Sequence, residues 1–386
     1  MCRYRSEHRW SRLSLVVALA FATIAISARS VSADEPVSVL EFPKDEAQEQ
    51  VGELAFSPNG RYLASAGPFT LRMWDLDTGE STLLFGSGRG GEGWLPSGIS
   101  FSPNGERLAA FVANATNQTE EWKILTWDPE TRNEQENFAE HVSHKAGLTP
   151  RQLVFSPDGS LLTIDAHDPS GVMLVNAKSR NVAATLPSIN AHSYAFSPDG
   201  KLLAVGSTGR KWFEIWDIQQ QALLRRIEPA VVDRIAFSPD GKQLVTCMPH
   251  LGLGLWDVKT GKPVRPHVTA AKNWPKVRPG QVRRHVSAAI SSDAKIVAVP
   301  DYYRHTIRLF DVERGVRLAT IRTHQHPISL VFSEDIKTLA VGTITESRNL
   351  SEVSGIELWD IPAVVASSAP HAHSRESLEG NRAENP

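Results

Sequence analysis

Three pairs of histidines stand close enough in the chain to share a ligand: His141 with His144, His324 with His326, and His371 with His373. Alternate residues of a strand lie on one face, so His324 and His326 could present two imidazoles together. None of the pairs has a third ligand at a recognisable spacing, and no metal is expected. Asp165, His167 and Asp168 place a base beside carboxylates, but no nucleophile or oxyanion donor accompanies them in sequence. The glycine-rich stretch 86–93 leads to Trp94 without the Lys-Ser/Thr ending or the helix start of a phosphate cradle. Calcium loops, haem attachment pairs and nucleophile elbows are absent, so the expectation is no cofactor and no assigned catalytic residue. A different chemistry is better represented. Residues 267–284 carry Lys272, Trp274, Lys276, Arg278, Arg283 and Arg284 with no acid, and Tyr302, Tyr303 and Arg304 follow. Aromatic and arginine side chains of this kind form the centres of interfaces.

These residues need a scaffold. The chain has 386 residues, 41% hydrophobic and 22% charged, which is the make-up of an ordinary globular protein. Its formal charge of -2 gives no overall excess for gripping nucleic acid or an anionic membrane. Cys2 and Cys247 cannot build a disulfide framework or a four-cysteine zinc site, so packing must hold the fold. Residues 1–33 read as a secretory signal peptide. Arg3, Arg5, Arg9 and Arg12 precede an apolar run from Leu13 to Ile26, and Val31-Ser32-Ala33 supplies the small residues of a cleavage site. That run is shorter than the roughly 20 residues of a spanning helix. The expectation is an exported protein, periplasmic or extracellular, with no membrane span after cleavage; an uncleaved anchor is the alternative. Cleavage removes Cys2, and Cys247 is then a lone buried thiol in a strand.

Internal repetition sets the architecture. Phe56-Ser-Pro-Asn-Gly recurs at Phe101, Phe155, Phe196 and Phe237, with decayed copies Ile290-Ser-Ser-Asp-Ala and Phe332-Ser-Glu-Asp-Ile. Successive copies lie 45, 54, 41, 41, 53 and 42 residues apart. Each is followed by a second signal: Trp74-Asp75, Trp127-Asp128, Val175-Asn176, Trp216-Asp217, Trp256-Asp257, Phe310-Asp311 and Trp359-Asp360. Proline presets the backbone at a turn's second position and glycine adopts the positive φ that reverses the chain, so an apolar strand is followed by a hairpin. The aromatics Phe56, Trp74, Phe101, Trp127, Phe155, Phe196, Trp216, Phe237, Trp256, Phe332 and Trp359 are read as core anchors. One four-stranded sheet cannot bury both faces, whereas seven set around an axis can.

The pattern resembles the WD40 repeat family over about residues 37–362, in a divergent bacterial-type form. The resemblance implies an all-β fold: a seven-bladed β-propeller of four-stranded antiparallel blades, spanning 34–366 and followed by a polar tail, 367–386, expected to be disordered. The family's opening Gly-His pair is missing, although His324 and His285 fall near its place, and most blades lack the aspartate between strands two and three. The family's buried Asp-His-Ser/Thr-Trp network is therefore expected to be altered. The last blade lacks a fourth strand of its own, and Val37 to Phe42 is an alternating strand with no blade. The family's interlocked closure implies that the two pair, which removes an open edge.

Strand direction alternates within a blade. The turns carrying FSPxG emerge on one face, and the loops between strands two and three and between blades emerge on the other. The second face carries the long segments 86–97, 112–121, 139–149, 267–284 and 343–354. Length variation on one face of a repeat array marks a binding face. The leading expectation is an exported, monomeric scaffold without catalysis of its own. It binds a protein partner, acidic or polyanionic but not nucleic acid, through Trp94, Trp274, Arg278, Tyr302, Tyr303 and Arg304. The alternative is a hydrolase, lactonase or quinone-dependent dehydrogenase with an axial pocket built from Asp165, His167, Asp301 and His305.

Overall fold

The computed structural model describes residues 34–43, 51–86, 94–114, 122–138, 152–167, 170–188, 191, 193–207, 212–228, 232–248, 252–264, 268–269, 288–345 and 354–368. Each FSPxG segment folds on a serine. Ser57 Oγ donates to Asn59 Oδ1 at 2.7 Å and accepts from the Tyr62 N–H at 2.8 Å, while the Gly60 N–H donates to the Ser57 carbonyl at 2.9 Å. The same serine-to-acceptor bond recurs at Ser102–Asn104, Ser156–Asp158, Ser197–Asp199 and Ser238–Asp240. It survives in the decayed copies as Ser291–Asp293 and Ser333–Asp335, where Ala294 and Ile336 take the left-handed position at φ 58° and 63°. The serine donors are the leading cause holding the carboxyls of Asp158, Asp199 and Asp335 below the usual aspartate range.

Seven antiparallel sheets of four strands follow from these turns. Blade 1 consists of Glu53–Phe56, Tyr62–Ala66, Thr70–Asp75 and Ser81–Gly86. Blades 2 to 6 occupy 94–138, 154–186, 193–227, 234–269 and 289–322. Blade 7 takes His326–Phe332, Thr338–Ile344 and Ser354–Asp360 from the C-terminal end, and its fourth strand is Ser38–Glu41. The register sets Ser38 opposite Leu358 and Leu40 opposite Ile356, so the two ends of the ring are hydrogen-bonded together. The first strand of blade 1 packs against the first strands of both blade 2 and blade 7, which places the first strands around the axis.

The core is divided among the gaps between blades. The buried apolar side chains form seven clusters, and each joins two neighbouring blades. Trp127 and Phe101 of blade 2 pack into blade 1, Trp256 and Phe237 of blade 5 into blade 4, and Trp359 and Phe332 of blade 7 into blade 6. Cys247 is fully buried between blades 5 and 6, and burial pushes its thiol well above the ordinary value, so it packs as an apolar side chain.

A buried indole N–H is costly without an acceptor, and four blades supply one in two ways. Trp74 donates to Ser65 Oγ at 3.0 Å and Trp256 to Thr246 Oγ1 at 2.9 Å, both hydroxyls on the second strand. In blades 4 and 7 the second strand offers Val205 and Val341 instead, opposite Glu214 and Glu357. There Trp216 donates to Glu214 at 3.1 Å and Trp359 to Glu357 at 3.0 Å. The other oxygen of Glu214 takes Arg226 Nη2 at 2.8 Å, and that of Glu357 takes the His324 N–H at 3.0 Å with the ring Nδ1 at 3.1 Å. The altered network is thus a hydroxyl or a carboxylate by turns, and His324 sits where it serves the carboxylate form.

Two expected boundaries shift. Trp94 begins the strand Trp94–Phe101 and lies opposite Asn114, outside the glycine-rich loop assigned to it. The cause is a bulge at Gly98, φ 56°, which absorbs one residue and lets the hairpin extend toward the loop face. After Asp360 the chain forms the helix Ile361–Ser368, which carries Ser367 and Ser368 past the expected start of the tail. Asp360 Oδ1 accepts the Ala363 N–H at 2.8 Å, and Ile361 and Val364 bury against the blade 6–7 cluster. The segments 1–33 and 369–386, and the loops holding Trp274 and Arg278, lie outside the described residues.

Candidate binding face

Blade 6 ends its second strand at Asp301 and turns through one short 3-10 helix, Tyr302–Arg304, before the third strand starts at Thr306. His305 closes the turn in the left-handed conformation, φ 51°. The turn is anchored from beneath and from the side. Arg308 Nη2 reaches Asp301 Oδ2 at 3.3 Å, with both side chains largely buried, and Arg304 Nε lies 3.8 Å from the same oxygen. Burial pulls the Arg308 guanidinium below its ordinary value, and the Asp301 carboxylate opposes that shift.

From blade 7, His326 closes the arrangement. Its Nδ1 lies 2.8 Å from the Tyr302 carbonyl, its ring stacks on the Tyr302 ring at 4.4 Å, and the His305 ring meets it edge-on at 4.0 Å. Tyr303 stands edge-on to Tyr302 at 5.2 Å and is 49% exposed, and the Arg304 side chain is 73% exposed. The result is a pre-formed aromatic and imidazole plate across the top of blades 6 and 7, with a tyrosine and an arginine projecting from it. Such a plate can stack on a planar or apolar group and offer a cation beside it, because its side chains lose little freedom on binding. Beside it His324 Nε2 lies 3.3 Å from Glu35 of the segment entering the closing strand, so the plate is continuous with the ring closure.

Tyr302, Tyr303 and Arg304 are therefore brought together, joined by His305 and His326. Trp94 is placed on blade 2, three blades round the ring, and Trp274 and Arg278 lie outside the described residues. Of the axial-pocket alternative, Asp301 is engaged by two arginines and His305 by the His326 ring. Asp165 and His167 belong to the strand Leu161–His167 of blade 3, which does not adjoin blade 6. Among the described residues, no group of three or more His, Cys, Asp or Glu side chains is arranged to hold a metal ion.

A set of residues absent from the sequence expectations lines the axial strands. At the position three before the anchor phenylalanine stand Glu53, Gly98, Gln152, Ser193 and Arg234 in blades 1 to 5. Glu53 accepts the Ile99 N–H at 3.1 Å, Gln152 the Tyr194 N–H at 3.0 Å and Ser193 the Ile235 N–H at 3.2 Å, each in the next blade. Asp233 does the same for Ala288 at 3.2 Å. Burial pushes the Glu53 carboxyl up from 4.5 to about 7, against the downward pull of Arg234 on the far side of the ring and of the Ile99 and Gly98 N–H groups. Reading the repeats as aligned columns exposes this belt; reading them as motifs does not, because its members share no residue type.

The family model of the WD domain, G-beta repeat, matches residues 36–75, from the closing strand to the Trp74-Asp75 signal. The two signals, intact or decayed, and the same four-stranded sheet recur in the other six blades. The chain is a seven-bladed β-propeller whose first blade matches the WD40 repeat. No curated protein matches its sequence. WD40 propellers generally bind proteins. Among the described residues, no helix of the propeller is long and apolar enough to cross a membrane.

Proposed function

We propose that this propeller is an exported, monomeric scaffold that binds a protein partner through the face bearing its inter-blade and second-to-third-strand loops. The observation that carries the reading is the plate of Tyr302, His305 and His326, which holds Tyr303 and Arg304 exposed in a fixed geometry. The basic segment 267–284, with Trp274 and Arg278, lies between blades 5 and 6 in the sequence, and its charge would favour an acidic or polyanionic partner. Export rests on the charged start, apolar run and small residues of 1–33.

The test compares affinity capture from a native envelope extract by residues 34–386 and by a Trp274→Ala, Tyr303→Ala, Arg304→Ala variant matched for thermal stability. A partner held by the first and lost by the second supports the assignment of the face. Equal capture by both, or capture by neither, overturns it.

A further inference from the structure

Both ring nitrogens of His324 face carboxylates. Nδ1 lies 3.1 Å from Glu357 Oε1 on the third strand of blade 7, and Nε2 lies 3.3 Å from Glu35 Oε2 on the segment entering the closing strand. A neutral imidazole carries one N–H, so it donates to one of these oxygens and turns a lone pair toward the other. The imidazolium carries two and satisfies both. The arrangement therefore suits the protonated ring, and histidine is the side chain whose charge ordinarily changes between pH 5 and 8.

The two contacts are unequal. The Glu357 side chain is 3% exposed, and besides the ring it takes the His324 backbone N–H at 3.0 Å and, on its other oxygen, the Trp359 indole N–H at 3.0 Å. A buried acceptor is costly to leave unmatched, so a ring with one proton keeps it toward Glu357. Glu35 is 66% exposed and turns to water at little cost. The Glu35 contact is the one that comes and goes with the proton. The strand beyond it has little else to hold its leading end: Ser38–Glu41 buries one side chain, Leu40, while Val37 and Val39 are exposed. The Val37 N–H, two residues past Glu35, donates to the Leu358 carbonyl at 2.8 Å.

We propose that His324 is a proton-operated clasp on the ring closure: charged, it ties the segment entering the closing strand to blade 7, and neutral, it releases Glu35 and lets that end of the strand fray. The ring is then closed more firmly in mildly acidic surroundings than in alkaline ones. The neighbouring charges are compatible with this sign. Asp34 adds a second acid to the entering segment. Blade 6 adjoins through His305, whose carbonyl accepts the Thr323 N–H at 2.9 Å and whose ring meets His326, and through Arg322, exposed at the end of its fourth strand.

The test measures hydrogen exchange at the Val37 amide by NMR at pH 5.5 and 8.0, corrected for the intrinsic pH dependence of exchange. A Glu53→Gln background removes the axial carboxyl as a second source of pH dependence. Protection should fall roughly two- to fivefold at the higher pH, the range of an ion pair between exposed side chains. Glu35→Ala removes the outer acceptor, and His324→Gln keeps a donor for Glu357 without a proton to lose, so each should make the protection independent of pH. Glu35 is an exposed side chain, so its variant retains the fold, and its melting temperature verifies that. Equal protection at the two pH values with His324 and Glu35 in place, or a fall of the same size in either variant, overturns the proposal.

Discussion

Replacing Glu53 by glutamine should make the propeller more stable at pH 8 and leave it little changed at pH 4.5. The carboxyl titrates near 4.5 when the chain is unfolded and near 7 in the ring. Below 4.5 both states hold the proton and the group imposes no cost. Between 4.5 and 7 the unfolded state has released it and the folded state has not, so stability falls as pH rises; above 7 the loss is complete. At about 1.4 kcal/mol per pH unit the displacement corresponds to at most about 3.4 kcal/mol. The residue keeps partial exposure at the axis, which reduces the expected gain to about 1–3 kcal/mol. Glutamine retains an oxygen for the Ile99 N–H, so the inter-blade bond survives the change. Thermal unfolding of both proteins from pH 4.5 to 8.5 reads the effect as a divergence of two curves. Arg234→Met supplies a control of opposite sign: it removes the group that favours the Glu53 anion and should steepen the fall with pH. Parallel curves for native protein and Glu53→Gln across this range would refute the reasoning.

Leu40 is the buried residue of the closing strand, 5% exposed in the blade 7–1 cluster, and Leu40→Ala should cost about 2–4 kcal/mol; a loss below about 1 kcal/mol in denaturant unfolding would show that closure contributes little. Thr246→Val keeps the shape but leaves the Trp256 N–H without its acceptor, so a loss of about 1–3 kcal/mol is expected, measured by the same unfolding. Gln221 is exposed at φ 52° in the turn where other blades have glycine, and Gln221→Gly should raise stability by about 0.5–1 kcal/mol in calorimetry; a decrease would mean that the side chain makes a stabilising contact. Intact mass of the protein recovered from the envelope should lack residues 1–33, and a full-length mass would overturn cleavage in favour of an uncleaved anchor.

The ring was legible in the sequence because its anchors are single residues with single jobs. Phe237 and Trp256 must be apolar and large wherever blade 5 packs on blade 4, so they recur as letters. Even the decayed copies were readable, since Ser291 with Asp293 and Ser333 with Asp335 keep the bond that shapes the turn after the glycine is lost. Pairwise solutions were not legible. The indole acceptor is Thr246 in one blade and Glu214 in another, and the choice depends on the residue across the strand pair, Gly254 or Val205. The Gly254 position shows how tight that choice is: a Cβ there would lie 2.5 Å from Trp256 Nε1 and 2.6 Å from Thr246 Oγ1. At the plate on blades 6 and 7 the sequence supplied Tyr302, Tyr303 and Arg304, but His326 joins them from the next blade by a contact that spacing does not encode. Trp94 was misplaced because a bulge shifts the strand boundary without changing the apolar pattern around it.

The partition of the core among seven inter-blade clusters has a temporal side. The strand Ser38–Glu41 is made before every other strand of the ring, and its partner Ser354–Asp360 after them. Until that partner emerges, the closing strand has nowhere to go, and the cluster of Leu40, Trp74 and Leu358 has no walls. Every other cluster can form between neighbours in order of synthesis, but the circle admits its final member only once blade 7 has been made. The ring thereby carries its own check: a chain cut short before blade 7 retains two raw ends, and one that reaches Asp360 has none.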